Sequence, residues 1–118
     1  MDKGLAISMG EPAGVGPDLI LALHAQRAAL NLPAFCVFGN TDFLRARAAR
    51  LGLDVTIASV ETAAGANLSG AALSVIDAGG PVVDRPGQIV PESAGVVIRA
   101  VEMAVAATLD GSCRGLVT

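Results

Sequence analysis

Met9-Gly10-Glu11-Pro12-Ala13-Gly14-Val15-Gly16-Pro17-Asp18 stands between a short apolar run, Leu5 to Met9, and a helical pattern from Pro17 to Leu30. The order is strand, glycine-rich turn, helix start. Glycines at 10, 14 and 16 let the backbone take positive φ or pass close to a ligand. Pro17 suits the start of a helix, where its missing N–H costs nothing. Free N–H groups at such a start favour an anion or a polar ligand. The glycine spacing fits neither the dinucleotide fingerprint nor a P-loop, and no Lys-Ser/Thr follows Gly16. A tight strand-to-helix turn and a ligand-binding loop both stand as readings. Two prolines make the segment rigid in either case.

The rest of the chain alternates in the same way. Strands are expected at Leu5–Met9, Ala34–Phe38, Val55–Ala58, Ala72–Asp77 and Arg114–Thr118. Helices are expected at Pro17–Leu30, Asp42–Leu51 and Glu92–Leu109. Such alternation predicts an α/β fold, a parallel or mixed sheet with flanking helices. Leu19, Ile20, Leu23 and Leu30 make the apolar stripe of the first helix. In the second, Asp42 near the start and Arg45, Arg47 and Arg50 further on suit the macrodipole, and Gly52 ends it. The third carries only Arg99 and Glu102 as charges in its interior, so burial on most sides is expected. Glu61–Gly70 reads as a loop with one helical turn. Gly79, Gly80, Pro81, Pro86, Gly87 and Pro91 impose irregular backbone between strand and helix. Asp77 and Asp84 there read as solvated turn carboxylates. Gly115–Thr118 reads as an interior strand ending where open α/β sheets bind ligands.

Composition narrows the function classes. At 118 residues the chain is one domain at most, and 53% hydrophobic residues supply a core and exclude disorder. A net charge of −3, with no Trp and no Tyr, argues against nucleic-acid binding. No membrane span or secretory leader is visible, so a cytoplasmic protein is expected. Cys36 and Cys113 read as buried small hydrophobes. His24, the single histidine, reads as an ordinary residue on a helix flank, since one histidine makes no metal site.

Three stretches together resemble the 4-hydroxythreonine-4-phosphate dehydrogenase family of vitamin B6 (pyridoxal phosphate) biosynthesis. Gly10 to Asp18 looks like the family's Gly-Asp-Pro-Ala-Gly-Ile-Gly-Pro-Glu, with Glu11 for Asp and Asp18 for Glu. Pro86-Gly87-Gln88 looks like its Pro-Gly-(Lys/Gln) turn. Ala100 to Ala104, through Gly111, to Leu116-Val117-Thr118 looks like its helix and the following strand. The match at Ser93-Ala94-Gly95 is looser.

The resemblance implies that residues 1–118 are the N-terminal part of a two-domain dehydrogenase with an isocitrate/isopropylmalate dehydrogenase-like fold. It implies NAD-dependent oxidation and decarboxylation of a phosphorylated hydroxy acid, with a divalent metal, in a homodimer. Threonate or erythronate 4-phosphate is the alternative substrate. No catalytic or metal residue of the family maps onto this chain, so no turnover is expected from it alone. Only the opening loop carries over, as cofactor-binding: Gly10, Glu11, Pro12, Gly14 and Gly16. The competing expectation is a non-catalytic α/β domain that dimerises or binds a partner through its apolar last helix.

Overall fold

A computed structural model of the chain describes residues 3–66, 68 and 70–118. Asn67 and Ser69, within the expected 61–70 loop, lie outside the described residues. The elements run β1 (Leu5–Ser8), α1 (Gly16–Ala25), β2 (Phe35–Gly39), α2 (Thr41–Leu51), β3 (Ile57–Val60), β4 (Leu73–Asp77), α3 (Ala94–Leu109) and β5 (Gly115–Val117). Short 3-10 turns occupy Ala63–Gly65 and Pro91–Ser93.

The strands form one sheet in the order β3-β4-β2-β1-β5. Every pairing is parallel, so all carboxyl ends share one edge. The central strands are apolar because both faces are covered: Cys36, Val37 and Phe38 on β2 and Leu73, Val75 and Ile76 on β4 are buried. Right-handed crossovers carry the chain from β1 through β2 to β3 in one direction and from β4 back to β5 in the other. That puts α1 and α2 on one face of the sheet and α3 on the other. Packing agrees: α1 lies against α2, and α3 covers β1, β2 and β5.

Several expectations shift. The first helix stops at Ala25, not Leu30. Ala28, Ala29 and Leu30 are exposed, so no burial supports further turns, and Asn31 takes φ 53°. The buried face of α1 is Pro17, Ile20, Leu21 and His24, while Leu19, Leu23 and Leu30 point to solvent. The third strand lies two residues later than expected, because pairing of Ile57 with Leu73 sets its register. Helix α3 begins at Ala94, after the 3-10 turn, and is not buried on most sides. Its sheet-facing row is Val96, Ala100, Ala104 and Ala107, small enough for close approach, whereas Ile98 and Leu109 are 58% and 83% exposed. The last strand, expected in the interior, is an edge strand here, paired with β1 alone.

Candidate functional site

The carboxyl edge of the sheet brings together the loop after β1, the Asn40 corner after β2 and the long connection after β4. The loop after β1 begins at Met9, which is fully buried. Its side chain fills the space beside Gly39, where a Cβ would sit 2.7 Å from the Met9 sulfur, so position 39 admits only glycine without repacking. Gly10 then turns the chain with φ +78°, a conformation that L side chains rarely adopt. The turn closes on itself: the Gly14 N–H donates to the Glu11 carbonyl (3.0 Å) and the Ala13 N–H to Glu11 Oε1 (3.1 Å). Glu11 is exposed, Pro12 buried, and Gly10, Gly14 and Gly16 half-buried. All five expected ligand-loop residues therefore sit in one segment at the edge where such sheets take ligands.

The segment runs directly into α1. Val15 occupies the N-cap position with no side-chain capping bond, and Pro17 lies in the first turn. Among the described residues no side chain caps the first N–H groups of this helix, which leaves an end suited to an anionic or polar ligand.

What holds the segment was not foreseen from the sequence. Arg47 of α2 is completely buried. Its Nη1 donates to Asp18 Oδ1 (2.6 Å), its Nε to Asp84 Oδ1 (2.8 Å) and its Nη2 to the Pro12 carbonyl (2.6 Å). The guanidinium also lies over the Phe43 ring, 5.0 Å from the centroid. Burial disfavours the arginine cation, but the bonds from Asp18 and Asp84 more than offset this and hold its pKa above the ordinary value. Burial likewise pushes the Asp84 carboxyl up, and Arg47 and Arg50 together bring it below the ordinary value. Asp84 is therefore an anchor and not a solvated turn carboxylate. One signal was visible: Arg47 lies four residues after Phe43 and three after Leu44, on the apolar stripe of its helix.

The connection after β4 crosses over the same loop. The Gly87 N–H donates to the Ala13 carbonyl at 2.8 Å, which places Pro86-Gly87-Gln88 against the glycine segment. Asp77 has a separate task. Its Oδ2 accepts from the Thr41 N–H (3.1 Å) and its Oδ1 from the Gly79 N–H (2.7 Å). Asn40 caps α2 through the Phe43 N–H (2.8 Å) and donates to the Gly79 carbonyl (2.7 Å). Arg99 of α3 donates to the Ala78 carbonyl (2.8 Å). The connections leaving the parallel neighbours β2 and β4 run in opposite directions along the sheet, yet the crevice between them is tied by its own hydrogen bonds.

The remaining candidates lie elsewhere. His24 is buried, with Nε2 3.2 Å from the Ala71 carbonyl and the ring edge-on to Phe35. Burial, partly offset by that bond, lowers its pKa. Cys36 and Cys113 are buried free thiols, as read, but they meet at 3.9 Å. Burial first, then Cys113, pushes the Cys36 thiol up to about 12, which makes it unreactive. Among the described residues no group of three His, Cys, Asp or Glu comes close enough to hold a metal ion. The divalent metal implied by the resemblance therefore has no ligand set among the described residues. No helix among the described residues is long and apolar enough to cross a membrane.

No family model matches the chain. Individual relatives do. A 4-hydroxythreonine-4-phosphate dehydrogenase of Xanthobacter autotrophicus is 40% identical over 114 residues, 97% of this chain and 33% of the relative. That of Methylorubrum extorquens is 34% identical over 119 residues, 99% of this chain and 34% of the relative. The crystal structure of a 4-hydroxythreonine-4-phosphate dehydrogenase from Burkholderia phymatum superposes with a TM-score of 0.84 at 23% identity, over 96% of this chain and 34% of that one. The chain thus spans about a third of the length of the relatives it matches. The resemblance read from the sequence is borne out across nearly all its residues, and so is the dehydrogenase-type α/β fold.

Proposed function

We propose that this chain is the portion of a 4-hydroxythreonine-4-phosphate dehydrogenase that presents the cofactor loop. The whole enzyme would oxidise and decarboxylate a phosphorylated hydroxy acid with NAD in vitamin B6 biosynthesis. The observation that carries this is the 40% identity over 97% of the chain to an enzyme of that name. Residues 1–118 form one part of a two-domain subunit, and the complete protein is a homodimer. NAD, when bound, would supply the hydride acceptor. The chain's own share is placement: Gly10, Glu11, Pro12, Gly14 and Gly16 line the nicotinamide side, and the uncapped start of α1 faces the ligand. Glycines there let backbone N–H groups approach closely, and the buried Arg47 keeps the turn from collapsing.

Assay of the purified chain for NADH formation from 4-hydroxythreonine 4-phosphate, with a divalent cation, is expected to show none. A longer polypeptide containing these residues is expected to turn the substrate over. Turnover of threonate or erythronate 4-phosphate in its place moves the assignment to that related dehydrogenase. Activity from the 118 residues alone overturns the division of labour proposed here.

A second reading rests on the outer face of α3, where Ile98 and Leu109 stand exposed, and on Leu116 and Val117 of the last strand, which are exposed as well. On that reading the chain is a non-catalytic domain that dimerises or binds a partner. A folded monomer in sedimentation equilibrium counts against it.

A further inference from the structure

We infer that Arg47 is a positioning residue that makes one ligand-facing surface out of two loops, the glycine segment 10–16 and the 84–88 part of the connection after β4. The inference rests on the cofactor-loop reading for its ligand, and on geometry alone for its mechanism.

The glycine segment has little to hold it from within. Its own bonds are local, between Glu11 and its neighbours at Ala13 and Gly14. Apart from the helix bond that Val15 accepts from Leu19, it is tied from outside by Arg47 to the Pro12 carbonyl and by the Gly87 N–H to the Ala13 carbonyl. Both depend on the same side chain. Gly87 is delivered by a connection anchored three positions earlier at Asp84, which is gripped by Arg47 and Arg50. Asp18, the third partner, sits in the first turn of α1, just beyond the glycines. Arg47 therefore sets the turn, the helix start and the covering loop relative to one another.

Chemistry explains why this is an arginine. Three acceptors in three directions, two of them charged, match a planar fork whose nitrogens are fixed relative to one another. A lysine ammonium carries the same charge but is a compact point on a flexible stem, and cannot present that fork. The surroundings are shaped for the plane, with the Phe43 ring beneath it. A role in fold stability alone would show as lost protection throughout the sheet, whereas a positioning role acts first at the two loops.

The test compares wild type with Arg47→Lys by amide hydrogen exchange and by NAD titration followed through backbone amide shifts. In the lysine variant the amides of Ala13, Gly14 and Gly87 are expected to exchange about tenfold faster while Val37 and Val75 keep their protection, as local opening does. NAD affinity is expected to fall about tenfold. Unchanged exchange at those three amides overturns the inference, as does equal loss of protection at Val37 and Val75. Unchanged NAD affinity in the lysine variant against a binding wild type also overturns it. If Arg47→Lys does not fold, Asp84→Asn takes its place, with faster exchange expected at Gly87 and Ala13 before any change in β2. If wild type shows no NAD-induced shift, the cofactor reading fails by itself, and the exchange experiment still decides whether Arg47 positions the loops.

Discussion

Helices α1 and α2 follow neighbouring strands at the same edge of the sheet, and they begin differently. The start of α2 is sealed: Asn40 accepts from Phe43, Asp77 accepts from Thr41, and Asn40 reaches across to Gly79. The start of α1 has no side-chain cap, and its acidic residue, Asp18, is turned to Arg47. A helix start needs partners for its N–H groups. Where side chains supply them the end is structural. Where they do not, and a glycine turn leads in, the end suits a ligand. The sequence shows turn residues at both starts, Gly10 to Pro17 before α1 and Gly39-Asn40 before α2, without showing which is closed by side chains.

The largest expected effect comes from cutting the support beneath the open end. Arg47→Met leaves Asp18 and Asp84 facing each other across an apolar side chain. Breaking a buried pair of this kind costs about 3 kcal/mol, the low end of the usual range because both carboxylates keep some solvent. Urea unfolding measures it, and a loss below about 1 kcal/mol would show that the open end does not need this support. The same cluster gives a pH dependence. The folded Asp84 carboxyl titrates below its ordinary value, so its contribution is present above about pH 4 and is lost as pH falls through the folded pKa. Stability of Asp84→Asn, followed from pH 6 to pH 2, is expected to lie below wild type at the upper end and to converge with it at the lower.

Gly39→Ala comes next. The added methyl collides with Met9 beneath the glycine turn, and overpacking of this order costs about 2 kcal/mol. It is expected to disturb the open end by displacing Met9, visible as amide shifts at Gly10. Asn40→Ala tests the sealed end directly. Loss of a side-chain cap costs about 1 kcal/mol, read from the thermal midpoint. Val15→Ala is the smallest. Val15 is 69% exposed and caps nothing, so a change within about 0.5 kcal/mol is expected. Equal losses from Asn40→Ala and Val15→Ala would erase the distinction between the two ends.

Much of this was legible beforehand because it is local. Apolar runs in β1, β2 and β4 mark strands buried on both faces, and Asn40, Gly52 and the prolines mark where helices start and stop. Helix α3 shows the limit of that logic. Its apolar residues surround it, but a sheet covers one side only, so alanines became the buried row and larger side chains faced out. The end of α1 falls short for the same reason: Leu30 fits the period but stays half exposed.

The candidate site divides along the same line. Its residues were readable because glycine and proline act through their own backbone, and that effect needs no distant partner. Its support was not. Arg47 lies 29 residues from Asp18, 35 from Pro12 and 37 from Asp84, and nothing local distinguishes it from Arg45 or Arg50 except a place on the apolar stripe. Cys36 and Cys113, 77 residues apart, became neighbours in the same way. The order of strands and helices, the rigid glycine turn and the family resemblance follow from residues close together in the chain. Which of the α1 and α2 starts is sealed, which arginine is buried and which apolar face is left uncovered follow from folding. Those depend on what the folded chain brings alongside each residue, and burial, ion pairing and packing act through space.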